Sequence, residues 1–579
     1  MYKTFPLFTQ AFIRKGANLG SLRIGFRVLA IGLGGLHVYA AILSQSMNAD
    51  GISYLDIGDA YFRGDWANAI NPVWSPLYSW ILGFANFLIQ PSMEWEFPVV
   101  HLINFLIYIG TLASFEYMWG KVRLSQDFAA DNGSLQPPEW LWWTLGYLLF
   151  IWTSLSLIQI WSVTPDMLMA AIIYLAAGLI ARIRSGESGW HLFFSLGLIL
   201  GLGYLSKTFM FSMALVFLGL TWLVQRRSWK SLLRTGLAVG IFLLICLPFI
   251  LLISEKKGKL TIGEAGTVTY LRYVNGMPFP HWQGNPGAGI IPANPSRVIH
   301  QSPLIYEFGE PVGGTYPIST DPSYWYEGIE PRFDLGSLFA RLLSSGLVFM
   351  ELFFQKQGVF LACILALYIM GQRQKLSLSE ILQRWALVLP AVIAFGLYGT
   401  VLVQDRYVGV FVLLFWTDIL ANVRLNNTIN HSSWINSICL VASIGLLANI
   451  VLFNLDGFKR LNPAFEAGVV EESAAPAKPL AVAQMLVDLG IQPGDKVGVI
   501  GYAYDSFWAR LAHVKIVAEL PEGETDDLWR DDETLRHSVL QAFAGSGAKA
   551  VIAEYVPADA RLNDWHPVGD SNYFIYFYE

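Results

Sequence analysis

Apolar stretches near the ~20 residues a helix needs to cross a bilayer recur along the first 455 positions, separated by short polar breaks. Three of these stretches are too long for one helix. Residues 140–183 run for roughly 45 residues, or about 65 Å of helix, so the chain must turn back at the polar break Trp161-Ser162-Val163-Thr164-Pro165-Asp166. By the same reasoning residues 190–224 turn at Ser206-Lys207-Thr208 and residues 385–423 turn at Gln404-Asp405-Arg406. Each hairpin tip carries an ionisable residue. Adding the runs at 26–43, 98–119, 237–253, 358–370 and 434–455 predicts about eleven crossings. The first run follows Lys3, Arg14, Lys15, Arg23 and Arg27 as a signal peptide would, but it exceeds the ~7–15 apolar residues of such a leader and has no small-x-small site after it. It is read as an uncleaved span.

Lys121, Arg123, Arg182, Arg184, Arg226, Arg227, Lys230, Arg234, Arg373, Lys375, Arg384 and Arg424 fall in one alternating set of short loops. Cytoplasmic loops carry such an excess, so the N-terminus is expected to be cytoplasmic. By parity the loop at Asp50, the tips at Asp166, Lys207 and Arg406, the long loop 254–334 and everything after residue 455 are expected outside. Residues 335–354 are expected to form an outer-surface helix before the next span. Beyond residue 462 the pattern becomes that of a soluble chain. An Ala/Pro linker at 472–479 leads to strands at 496–500, 514–518, 548–553 and 573–578, with helices at 480–489, 507–513 and 532–543.

The expected architecture is therefore an α-helical polytopic membrane protein with a C-terminal soluble α/β domain. Its parts are a membrane domain 1–455 with large outer loops at 46–97 and 254–334, a linker 456–479 and the soluble domain 480–579. Composition agrees: 54% of the 579 residues are hydrophobic and 14% charged, and the mean hydropathy is +0.45, too apolar for a soluble chain of this length. A net charge of -6 leaves no broad basic surface for phosphate tracking, which sets a nucleic-acid partner aside. Cys246, Cys363 and Cys439 lie inside apolar runs with no metal or disulfide spacing. Gly498-Val499-Ile500-Gly501 follows a strand as a nucleotide-binding turn does, without the G-x-G-x-x-G spacing. The long loop carries Pro278-Phe279-Pro280-His281-Trp282, Thr315-Tyr316-Pro317 and Asp321-Pro322-Ser323-Tyr324-Trp325-Tyr326, aromatics suited to a headgroup belt or to the face of a sugar.

The richest polar segment follows the first span. Asp50, Asp56, Asp59 and Asp65 stand within sixteen residues, interleaved with Tyr54, Leu55, Ile57, Ala60 and Tyr61. The spacing predicts a short amphipathic helix lying on the membrane, with Asp50 turned toward the bundle. Charges cost roughly 2.5–3.5 kcal/mol at the centre of a membrane helix and mark sites by default. Here acids (Asp50, Asp166) and bases (Lys207, Arg406) share one side, a combination suited to a substrate with a hydroxyl nucleophile and a phosphate leaving group. His37 and His101, within or beside spans, read as interhelical hydrogen bonders.

The segments Asn48-Ala49-Asp50-Gly51-Ile52-Ser53-Tyr54-Leu55, Ser75-Pro76-Leu77-Tyr78, Thr164-Pro165-Asp166, Gly201-Leu202-Gly203-Tyr204-Leu205-Ser206-Lys207 and Asp405-Arg406-Tyr407, in this order and on one side, resemble the GT-C class of integral-membrane glycosyltransferases. The likeness is in particular to the bacterial branch akin to protein mannosyltransferases and the aminoarabinose transferase. The resemblance implies a polyprenyl-phosphate sugar donor, a lipid, glycan or protein acceptor, and hexosyl or pentosyl transfer with inversion at the outer face of a bacterial inner membrane. Asp50 is then the general base, Lys207 and Arg406 bind the lipid phosphate, and Asp166 orients the acceptor or holds Lys207, unless it is a helix N-cap. Tyr54, Tyr407, Asp56 and Asp59 join the substrate-binding set. Many relatives show Asp-Glu where this chain has Asp50-Gly51, which leaves open a second carboxylate from Asp56 or Asp59 and a divalent metal ion. The alternatives are a polysaccharide polymerase or ligase using a lipid-linked oligosaccharide, or a transporter or flippase, which predicts inverted repeats and midplane charges.

Overall fold

The structure is a computed structural model. It describes residues 19–44, 47–127, 134–135, 138–225, 228–278, 290–308, 310–369, 386–423, 425–426, 429–461 and 479–578, apart from a few positions after 525. Linker residues 462–478, loop residues 279–282 and the basic residues Lys3, Arg14, Lys15, Arg226, Arg227, Arg373, Lys375, Arg384 and Arg424 lie outside these stretches.

The first half of the chain forms α1 (Leu19–Ser44), α2 (Asp50–Arg63), α3 (Pro76–Ile89), α4 (Glu96–Asp127), α5 (Glu139–Trp152, extended by a π-turn at Thr153–Ile158), α6 (Asp166–Arg184), α7 (Trp190–Ser206), α8 (Phe209–Leu223) and α9 (Trp229–Lys257). After the long loop, with α10 (Ala265–Tyr273), come α11 (Leu335–Met350), α12 (Gly358–Ile369), α13 (Val388–Gly399), α14 (Asp405–Ala421) and α15 (Ile429–Leu461). Among the described residues seven helices are long and apolar enough to cross a membrane, and shorter apolar ones pack between them. Large aromatics fill the bundle: Trp119 stacks on Trp142 at 4.3 Å and Phe115 on Phe150 at 4.9 Å. All three expected hairpins are present, between α5 and α6, α7 and α8, and α13 and α14.

Residues 335–354, expected from sequence as an outer-surface helix, form α11 and the start of a π-turn. Arg341 Nε donates to Val401 O near the α13–α14 tip, Phe353 packs against Phe415, and Tyr368 OH on α12 donates to Ile419 O at the far end of α14. Helices α11 and α12 thus follow the same neighbours end to end, as one path broken by a π-turn at Glu351–Gln355. Polar side chains stabilise the break: Gln357 Nε2 donates to Leu352 O at 3.0 Å, and Lys356 pairs with Asp405 at 2.6 Å. Leu335–Gln355 is one of the seven helices long and apolar enough to cross a membrane, and α12 is one of the shorter apolar ones.

Helix α2 is present but does not lie on an open surface, because residues 51–58 and Ala60 are buried. One side packs on α3 backbone to backbone. A Cβ on Gly58 would sit 2.7 Å from Ser79 O, and one on Gly83 would sit 2.6 Å from Gly58 O, so glycine is needed at both positions. The other side is covered by the C-terminal domain. Arg510, only 3% exposed, donates to Asp56 at 2.8 Å, Asp59 at 2.7 Å and Glu96 on α4 at 2.5 Å. Arg510→Ala strands three carboxylates in a buried interface, and losing one partner of such a cluster costs about 3–5 kcal/mol. The variant is expected to unfold several degrees earlier in a thermal melt of the detergent-solubilised full chain; an unchanged melt would mean the cluster contributes little.

The domain itself contains α16 (Pro479–Asp488), β3 (Lys496–Gly501), α17 (Phe507–Leu511), β4 (Lys515–Pro521), α18 (Glu533–Gly545), β5 (Ala550–Ala553), β6 (His566–Pro567) and β7 (Phe574–Phe577). A hairpin from the long loop, β1 (Arg297–Gln301) and β2 (Leu304–Glu307), extends the sheet to seven strands in the order β1-β2-β4-β3-β5-β7-β6. Strands β4, β3 and β5 are parallel. Side chains of β3 alternate between faces: Val497 and Val499 pack with Trp508 of α17, and Ile500 with Phe543 of α18. Gly498, read in sequence beside a nucleotide-binding turn, instead lets the Phe543 ring approach, since a Cβ there would be 2.3 Å from it.

Burial pushes the Glu519 and Glu554 carboxyls, near the ends of β4 and β5, from the ordinary 4.5 up to about 7. Between these values the folded chain holds protons that the unfolded chain has released, so stability falls as pH rises through that window. Hydrogen exchange of the β3 and β5 amides in the full chain is expected to quicken from pH 5 to about 7 beyond the intrinsic rate change, with a shallower dependence in Glu554→Gln. Equal dependence in both proteins would remove Glu554 from that role.

Candidate functional site

The polar tips meet at one end of the bundle. Asn48, just before α2, accepts from Val163 N at 2.6 Å through its side-chain oxygen. This ties the start of α2 to the loop before α6. The α2 and α6 starts place Asp50 and Asp166; α7 ends where Lys207 becomes extended, and α14 starts one residue before Arg406.

Two ion pairs interlock. Lys207 Nζ donates to Asp166 Oδ1 at 2.5 Å, and Arg406 Nη2 donates to Asp50 Oδ2 at 2.8 Å. Arg406 Nε also lies 4.0 Å from Asp166 Oδ2, so the guanidinium spans both acids. Asp166 is 1% exposed, and its Oδ2 has no hydrogen-bond partner among the described residues. Its side chain makes no helix cap; it is spent on Lys207. Gln404 steadies Arg406 Nε at 3.0 Å.

The two pairs line a cavity of about 630 Å³. Aromatic rings form its walls: Tyr407 lies 3.9 Å beneath Lys207 Nζ, Tyr398 stacks on Tyr407 at 5.3 Å and on Phe209, and Tyr54 meets Trp74 and Tyr78 edge-on. Such faces attract ammonium and guanidinium groups and hold them in place. The long loop adds Arg272, Tyr273 and Tyr326 to the lining, and the C-terminal domain adds Tyr504. Tyr398 comes from the end of α13, across the hairpin tip from Arg406 at the start of α14. Arg272, Tyr273 and Tyr504 carry no local signal in the sequence.

Six residues expected at the site (Asp50, Asp166, Lys207, Arg406, Tyr54 and Tyr407) are brought together around the cavity. Asp56 and Asp59 are not among its lining residues; they face Arg510, and Asp56 also accepts from Thr315 N and Oγ1. Asp65 caps the short helix Trp66–Ala69. His37 stacks on Phe453 and His101 is buried. Among the described residues no group of three or more His, Cys, Asp or Glu side chains is disposed to hold a metal ion. Asp50 and Asp166 already hold cationic side chains, so this donor set does not fit a divalent ion.

Arrayed this way, two acids and two bases neutralise one another around the cavity, where added negative charge is stabilised by the bases and a proton can be taken by an acid.

No family model matches the chain. It is 34% identical over 107 residues to the undecaprenyl phosphate-alpha-4-amino-4-deoxy-L-arabinose arabinosyl transferase of Pseudomonas paraeruginosa. It is 33% identical over 108 residues to the protein of that name from Pseudomonas aeruginosa. These segments are 18% of this chain and 16% of each relative, so the chain spans under a fifth of the length of the curated relatives it matches. Among solved structures it is similar to ArnT from Cupriavidus metallidurans bound to undecaprenyl phosphate, with a TM-score of 0.47 and 12% identity over 95% of this chain and 97% of that one. It is also similar to the oligosaccharyltransferase of Archaeoglobus fulgidus tethered with an acceptor peptide, with a TM-score of 0.43 and 12% identity over 91% of this chain and 69% of that one.

Proposed function

We propose that the chain is an inverting membrane glycosyltransferase of the GT-C class. It moves a hexosyl or pentosyl unit from a polyprenyl-phosphate donor to an acceptor hydroxyl at the outer face of a bacterial inner membrane. The observation that carries this reading is the interlocked Asp50–Arg406 and Asp166–Lys207 arrangement around one cavity at one end of the bundle. The local likeness to transferases named for an undecaprenyl-phosphate aminoarabinose supports it. The charges gather at a bundle end, whereas a transporter site is expected near mid-span.

In the proposed reaction the donor phosphate enters beside Lys207 and Arg406 and draws Arg406 away from Asp50. The freed Asp50 carboxylate accepts the acceptor proton as the hydroxyl oxygen bonds to the anomeric carbon and the carbon–oxygen bond to phosphate breaks. The departing monoester carries more negative charge than the diester it came from, so Lys207 and Arg406 stabilise the transition state more than the ground state. Asp166 keeps the Lys207 ammonium aimed at the phosphate, while Tyr407 floors it. Tyr54 forms the wall beside Asp50. The lysine and arginine distribution supports a cytoplasmic N-terminus and an extracytoplasmic C-terminal domain.

Incubating the purified full chain with a panel of polyprenyl-phosphate sugars and a cell-envelope extract as the source of acceptor is expected to release free polyprenyl phosphate from at least one of them. Release only of polyprenyl pyrophosphate from a lipid-linked oligosaccharide would favour the polymerase or ligase, and release from neither would set both aside.

A further inference from the structure

The C-terminal sheet meets the cavity by one particular end. Strand β3 is central, with β4 on one side and β5 on the other, all parallel. The chain crosses first to β4 and then over β3 to β5, so the connections part beyond the carboxyl end of β3. Open α/β sheets bind ligands in the crevice at such a point. Here that crevice holds residues 502–505, and Tyr504 reaches the cavity that Asp50 also lines.

The turn is held firmly. Ala503 N donates to Glu519 on β4 at 3.3 Å, and Tyr316 OH donates to the same carboxyl at 2.6 Å while its ring meets Tyr504 edge-on. Tyr502 and Tyr504 lie 6.1 Å apart, centre to centre, and Tyr502 is 43% exposed. Asp505 is open to solvent. Crowding by its surroundings and the nearby charge of Asp50 hold its carboxyl above the usual range. Arg272 and Tyr273 of α10 line the cavity with Tyr504.

We propose that this turn is the acceptor subsite and that the acceptor is a glycan, an inference that rests on the glycosyltransferase reading above. Tyrosine rings present an apolar body and a polar tip, which suits the C–H face of a sugar ring, and Asp505 and Arg272 are an acceptor and a donor for its hydroxyls. A sugar seated there places its next hydroxyl toward Asp50. The C-terminal domain thereby selects the acceptor while the bundle handles the donor.

The test is saturation-transfer NMR and titration of the full chain with maltotetraose, cellotetraose and chitotetraose, alongside undecaprenyl phosphate. At least one tetrasaccharide is expected to bind, and Tyr502→Ala and Asp505→Asn, both at exposed positions, are each expected to weaken it about tenfold with undecaprenyl phosphate binding unchanged. Failure of every tetrasaccharide to bind, equal binding by both variants, or binding of an unglycosylated serine peptide in their place would overturn the proposal. Loss of undecaprenyl phosphate binding in the unaltered chain counts instead against the glycosyltransferase reading, so the two failures are distinguishable.

Discussion

Asp50→Asn is expected to lower kcat for sugar transfer by about 10²–10⁴-fold, the range that a positioned general base contributes. Asparagine keeps the shape of the side chain, and its carbonyl oxygen can still accept from Arg406, which now donates to Asp50 at 2.8 Å. The start of α2 is also tied independently through Asn48 to Val163. Expression, membrane insertion and donor binding are therefore expected to stay close to those of the unaltered chain, and the loss should fall on kcat rather than on donor KM. Near-normal transfer by a well-folded Asp50→Asn protein would sink the assignment and turn attention to Asp166, whose Oδ2 is buried without a hydrogen-bond partner among the described residues.

Lys207→Ala and Arg406→Ala are expected to weaken donor binding, each by about 10–100-fold, from the ~1.5–3 kcal/mol of a charged hydrogen bond. Arg406→Ala should be the more severe. It leaves Asp50 without its partner and removes the second cation near Asp166, so two carboxylates repel the incoming phosphate. Arg406→Lys keeps one charge but loses the planar fork that spans both acids, and should fall between the two. Titration with a polyprenyl phosphate read by intrinsic fluorescence separates these cases. Unchanged affinity in both alanine variants would remove the phosphate role.

Much of this molecule is legible along the chain because its signals are local. Apolar runs longer than one crossing must fold back, and the polar breaks at Asp166, Lys207 and Gln404 were the only places to do so; α6, α8 and α14 begin there. Period-two patterns placed β3, β4 and β5 within three residues of their observed bounds. The four charged tips shared a side by parity alone, and the cavity shows how close they come.

What escaped the sequence depends on contacts between distant segments. Asp56 and Asp59 look like Asp50 in composition and spacing. Their difference is set by Arg510, more than 450 residues away, which claims them for the interface. The hairpin at 297–307 gave no sign that it would join a sheet whose other strands begin at residue 496. Tyr504 enters the cavity only because β3 points its carboxyl end toward the bundle. The sequence by itself thus determined the helices, the turns and the side on which the ionisable tips gather, since hydrophobic periodicity and charge exclusion act within a few turns of chain. Only the tertiary structure decided which carboxylate faces Arg406 and which faces Arg510, because a charge near a membrane is assigned its role by the partner that packing brings to it.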